Sequence, residues 1–212
     1  MDTLLLEHPI YPNSDGKPMA DNTKQFNWIS LIKWELDSLL PHDFVAGDLL
    51  WYPLQGQPTL RLAPDVLVAL GRPKGDRGSY KQWEEDNIAP QVVFEILSPG
   101  NRLTEMLRKL EFYELHGVEE YYVYAPDSFE LTALLRSPEG DLRTLEDPST
   151  LVSPRLAVRF DAPGDRPMTL FRPDGQPFRR PDETRQALER AEAEATRLRE
   201  KLNRLGLDPD AE

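Results

Sequence analysis

Residues 90–101 read PQVVFEILSPGN, and the middle of this stretch decides how the chain is built. Val92, Val93, Phe94, Ile96 and Leu97 form a short apolar run rich in β-branched and aromatic residues, bounded by Pro90 and by the turn-forming SPGN. Such a run predicts a strand buried on both faces. Glu95 stands inside it. An ionised carboxylate there costs several kcal/mol unless it is paired, hydrogen-bonded or bound to a metal. Either a partner compensates Glu95, or it sits on an edge and faces water.

On the C-terminal side, a helix is expected from about Leu103 to His116, with Gly117 as its stop. The strand EEYYVYAP (119–126) follows. The order strand, helix, strand predicts a crossover packed on a sheet, in an α/β or α+β domain. On the N-terminal side, RLAPDVLVAL (61–70) and DLLWYP (48–53) read as strands, and residues 71–90 as a polar loop. That loop carries the one locally basic segment, GRPKGDRGSYKQW, a candidate contact for a nucleic-acid strand or an ordinary solvated loop. Further short strands are expected in FELTALLR, LAVRF and MTLFR.

Earlier still, DNTKQFNWISLIKWELDSLL (21–40) has Trp28, Leu31, Ile32, Leu36 and Leu39 at helical spacing, and Asn22 with Gln25 resembles a capping box. Glu35 falls on the apolar stripe of this helix. It is either a second acid aimed inward or a residue at the stripe's edge that keeps its carboxylate in water.

With 212 residues, 39% of them hydrophobic, the chain suits one domain and its appendages. We read an extended arm over 1–21, a domain over 22–178 and a charged helix over 179–212. In the last segment Leu188, Ala191, Ala195, Leu198, Leu202 and Leu205 alternate by three and four, a seam of fewer than three heptads. It could pair two copies as a homodimer or pack back on its own domain. No apolar run is long enough to cross a bilayer and the first residues lack a basic leader, so a cytoplasmic chain with no membrane contact is expected.

There is no cysteine, which excludes disulfides and thiolate metal sites. A net charge of −12 speaks against holding nucleic acid by broad electrostatic attraction. Any action on nucleic acid would be local and metal-assisted. Asp65, after Pro64 at a strand start, and Glu95 on a neighbouring strand can converge on one face, because side chains alternate along strands about 4.8 Å apart. Asp65 could equally be a turn residue after proline. Convergent carboxylates repel unless a cation lies between them, and oxygen donors favour Mg²⁺ or Mn²⁺. Glu105, Lys109 and Tyr113 share one face of the second helix. Lys109 is either a solvated partner of Glu105 or a cation directed at the acids.

Pro64-Asp65, then FEILSP, then LRKLEFYELHGVEEYYVY, in this order, resemble the Uma2 family of the PD-(D/E)XK superfamily. The resemblance implies a restriction-endonuclease-like fold, a mixed β-sheet flanked by helices, and a metal-dependent endonuclease that hydrolyses DNA phosphodiesters. It implies that Asp65 and Glu95 hold Mg²⁺ or Mn²⁺ with the backbone carbonyl of Ile96. Glu35 would complete the ligand set, and Tyr113 would support it or touch phosphate. The superfamily pattern places a lysine two residues after the acid, where this chain has Leu97; Lys109 resembles the relocated lysine of Uma2 proteins. The alternative is a nuclease fold that has lost catalysis and acts in binding or assembly through its C-terminal helix.

Overall fold

The computed structural model describes residues 9–14, 16 and 19–204, and divides into two compact units at Phe178 and Arg179. In the first, helix α1 (Thr23–Leu39) precedes strands β1 (Phe44–Gly47), β2 (Trp51–Tyr52), β3 (Val66–Ala69), β4 (Tyr80–Lys81) and β5 (Val92–Ile96). Helix α2 (Leu103–Leu115) then leads to β6 (Glu120–Ala125), β7 (Glu130–Arg136), β8 (Leu142–Thr144), β9 (Arg159–Asp161) and β10 (Thr169–Phe171).

Six strands form one mixed sheet in the order β1-β3-β5-β6-β7-β8. The β5–β6 pair is parallel and is bridged in sequence by α2, while the other neighbours run antiparallel. All five residues of β5 are buried, as its composition requires. Alternation along the strands then sorts the core into two layers. Val66, Val68, Val92, Phe94 and Ile96 face α1 and the hairpin β9–β10, packing on Ile29, Ile32, Leu36, Phe160 and Leu170. Leu67, Ala69 and Val93 face α2, Trp51 and Tyr80. Each large aliphatic or aromatic side chain fully buried in this way contributes about 1.5–3 kcal/mol.

The ends of the helices follow local chemistry. Asn22 caps α1 by accepting from the Gln25 amide at 2.9 Å, a contact worth about 1 kcal/mol. The second half of the expected capping box is shifted, because Gln25 Oε1 accepts from Asp21 N rather than from Asn22. Gly117 ends α2 at φ +95°, a backbone region that a side chain strains, and Val118 N closes the turn on Tyr113 O. Arg136 clamps the same end through Val118 O, Gly140 O and Glu114 O.

Three local expectations change. The strands β1 and β8 lie outside the expected set; at four and three residues they offer too little alternation to read, and pairing with β3 and β7 creates them. DLLWYP contributes only Trp51 and Tyr52, which leave the main sheet to pair in parallel with β4. The loop 71–90 therefore has structure of its own, including a 3₁₀ turn over Gln82–Glu84.

In the second unit α3 (Pro181–Arg204) is one helix, begun by an Arg180–Glu183 ion pair at 2.7 Å. Its Leu198 is exposed and Leu202 half-buried. The expected seam residue Leu205 and the side chains of Leu188 and Ala191 lie outside the described residues, as do residues 1–8 of the arm. Among the described residues no helix is long and apolar enough to cross a membrane.

Candidate active site

Glu95 and Asp65 meet because of register. β3 and β5 are antiparallel with Val66 opposite Phe94, so one step further along the same register Asp65 stands opposite Glu95. Both have the parity of Leu67 and Val93, which places them on the α2 face at one end of the sheet. Asp65 Oδ2 accepts from the Ile96 amide at 2.6 Å, which ties the acid before β3 to the end of β5.

From the facing helix, Lys109 Nζ lies 2.6 Å from Glu95 Oε2. The Tyr113 hydroxyl donates to Oε1 at 2.5 Å. Glu95 is only 2% exposed and the side chain of Lys109 12%. The compensation expected for a carboxylate inside an apolar strand is thus an ammonium and a phenol from α2, four residues apart on one helix face. The pairing of Lys109 with Glu105 is not what forms, although Glu105 lines the same cleft.

Three groups have displaced protonation equilibria. Burial first, then repulsion from Glu95, push Asp65 up to about 8, against the Ile96 amide and the Lys109 ammonium. Burial works against the charge on Lys109, but Glu95 and Asp65 outweigh it and hold the ammonium above the usual lysine range. Burial and the negative charge of Glu95 raise Tyr113 well above an ordinary tyrosine, so it stays a proton donor.

A cleft of about 380 Å³ opens beside Asp65 and Lys109, with Asp21, Gln25, Asp48 and Glu105 also in its lining. Its donor set suits a hard divalent cation. Asp65 commits only Oδ2 among the described hydrogen bonds, each Glu95 oxygen accepts one bond and keeps a lone pair, and the carbonyl of Ile96 accepts one. Among the described residues no group of three His, Cys, Asp or Glu side chains converges as a ligand set. Two carboxylates and a carbonyl match the needs of Mg²⁺, which keeps several waters and takes substrate oxygens.

Glu35 does not join this group. It receives Arg172 Nε at 2.7 Å, and α1 covers the opposite face of the sheet. The residue of α1 that does reach the site is Gln25, ten positions or about 15 Å nearer the start of the helix. Its Nε2 donates to Ile96 O at 2.7 Å around the strand end. Beside it, Ser98 Oγ donates to Asp21 Oδ2 at 2.5 Å and Ser98 N to Asn101 Oδ1 at 2.6 Å, so the SPGN turn is tied to the entry of α1. The capping pattern pointed to Gln25 only as a cap; nothing local marked its second bond. The basic loop is also spent internally: Arg72 and Arg77 hold Glu85, Lys74 holds Asp37 and Lys81 holds Glu84. Another buried acid, Glu120, belongs to structure rather than chemistry, since Tyr122, Ser153 and the Arg155 amide all donate to it at the far end of the sheet.

The mixed α/β sheet thus gathers two acids and a lysine at one end. Residues 18–163 match the model of the Uma2 family, described as "Putative restriction endonuclease", and the chain belongs to that family. Among solved structures it is similar to "a putative nuclease belonging to DUF820 from Anabaena variabilis ATCC 29413". That likeness has 19% identity and a TM-score of 0.48, and covers 66% of this chain and 77% of the other. No curated protein matches.

Proposed function

We propose that the chain is a metal-dependent endonuclease that hydrolyses phosphodiester bonds of DNA. Asp65, Glu95 and the Ile96 carbonyl would hold Mg²⁺ or Mn²⁺. Such an ion, when bound, polarises the scissile phosphate and lowers the pKa of a water. The residues supply the rest. Tyr113 and Lys109 fix both Glu95 oxygens, so the carboxylate is oriented before substrate arrives. Lys109 places a positive charge where negative charge develops on phosphorus, in a pocket where it is worth more than in water. Gln25 fixes the Ile96 carbonyl, and the Ile96 amide fixes Asp65.

The observation that supports this reading is the convergence of Asp65, Glu95 and Lys109, the last at 2.6 Å from Glu95, with Asp65 and Lys109 lining a single cleft. Lys109 supports it further, since its ammonium reaches the acid from the helix, where Leu97 stands at the strand position of the superfamily lysine. The test is cleavage of plasmid and of linear DNA and RNA forms with Mg²⁺, Mn²⁺ or EDTA. Wild type should cut DNA only with metal, and Glu95→Gln and Asp65→Asn should lose at least a hundredfold in rate. Metal-independent cutting, or cutting that survives Glu95→Gln, rejects the assignment. No cutting by any form turns the reading to the alternative, a nuclease fold without catalysis that acts in binding or assembly through α3.

A further inference from the structure

Alongside the cleft, the exposed side of α1 carries an apolar groove of about 240 Å³ lined by Met19, Phe26, Ile29, Ser30, Lys33 and Trp34. Phe26 and Trp34 are 48% and 53% exposed, unusual for large aromatic residues on a helix that also packs a core. They lie eight residues apart with Ser30 between them, on one ridge of the helix. The Lys33 ammonium sits over the Trp34 ring, 4.3 Å from its centroid, while pairing with Asp37. Met19 lines both this groove and the cleft, so the two adjoin at that residue.

Charge narrows what can occupy the groove. A duplex is gripped chiefly through phosphate contacts from Lys and Arg. Among the described residues Lys109 is the single cation lining the cleft, beside Asp21, Asp48, Asp65 and Glu105, and the arginines of the loop 71–90 are held by Glu85. A strand with unpaired bases needs fewer such contacts, because each base offers a face that stacks on an aromatic side chain. Bases inside a duplex are stacked on each other and offer none.

We infer that the Phe26–Trp34 groove stacks unpaired bases next to the cleft, which makes single-stranded or frayed nucleic acid the substrate class. The inference rests on the nuclease reading and deepens it. It names a specificity surface that touches bases and takes no part in hydrolysis.

The test is fluorescence titration of the full chain with an oligothymidine, and with the same strand annealed to its complement, in Ca²⁺. Trp51 is fully buried, and Trp28 and Trp83 are half-buried against Tyr124 and Tyr11, so the part of the quenching that Trp34→Phe removes is the signal of Trp34. Wild type should bind the single strand in preference to the duplex, with quenching. Trp34→Ala and Phe26→Ala should each weaken single-strand binding about tenfold and leave the melting temperature unchanged. Trp34→Phe should keep the affinity and lose most of the quenching. Unchanged single-strand affinity in both alanine variants, with metal-dependent cleavage intact, overturns the stacking surface and leaves the nuclease reading standing. A wild type that neither binds nor cuts nucleic acid, but whose sedimentation changes with Trp34→Ala, makes the groove a protein interface and ends both readings.

Discussion

Replacing Lys109 by methionine isolates the interaction on which the site depends. Methionine keeps the apolar stem and removes the ammonium that stands 2.6 Å from Glu95 Oε2. What remains is a carboxylate that is 2% exposed, held by the Tyr113 hydroxyl and facing Asp65 across the register. Breaking one side of a buried pair costs about 3–5 kcal/mol, far above the 0–1 kcal/mol of an exposed pair. For a chain of this size each kcal/mol moves the melting temperature by about 2–4 °C, so a fall of about 6–20 °C is expected. Urea unfolding followed by circular dichroism in EDTA would measure it, alone and in a double-mutant cycle with Glu95→Gln. The double variant should recover about 1–3 kcal/mol relative to the sum of the single changes, because the buried charge is gone. A loss below about 1 kcal/mol for Lys109→Met, or strict additivity in the cycle, would refute the view that this pair compensates the acid in β5.

Three further outcomes follow from the same geometry. Because Asp65 is raised to about 8 in the folded chain, the metal-free protein binds more protons than its unfolded form above about pH 4. This contribution is full at low pH and is lost as pH climbs from about 4 to about 8, with a slope of at most about 1.4 kcal/mol per unit. Asp65→Asn should flatten the melting-temperature profile across that window. Saturating Mn²⁺ should raise the melting temperature of wild type by several degrees at pH 8 and leave Glu95→Ala unmoved, since only a ligand that binds the folded state stabilises it; equal shifts in the two proteins would remove the metal site. Gln25→Ala loses the bond to Ile96 O and leaves Asp21 N without its acceptor, so a loss of about 1–3 kcal/mol in urea unfolding is expected. A loss confined to the cap value, or none, would show that Gln25 does not hold the strand end.

The parts of the site that were legible in the sequence are those set by short periods. The β5 run announced a buried strand, and an acid inside it demanded a partner. Helical spacing put Lys109 and Tyr113 on one face, and the structure brings both to Glu95. What could not be read was set by contacts distant in sequence. Glu35 has the right stripe for an inward acid, but Arg172, 137 residues away, takes it on the other face of the sheet. Gln25 finds Ile96 across 71 residues for a similar reason. The strands β1 and β8 exist only through their neighbours, as short strands with weak propensity of their own must.

The alternation of Val92 to Ile96 between the two core layers has a cost that the rest of the fold must prevent. A slip of β5 by a single residue would turn Glu95 in among Ile29, Ile32 and Phe160 and present the Phe94 ring to the cleft. The geometry of the site and correct strand pairing are therefore one property of this protein, guarded by the ladders to β3 and β6 on either side. Amide exchange in this single strand reports on both at once: whatever loosens those ladders disarms the cleft before the chain as a whole unfolds.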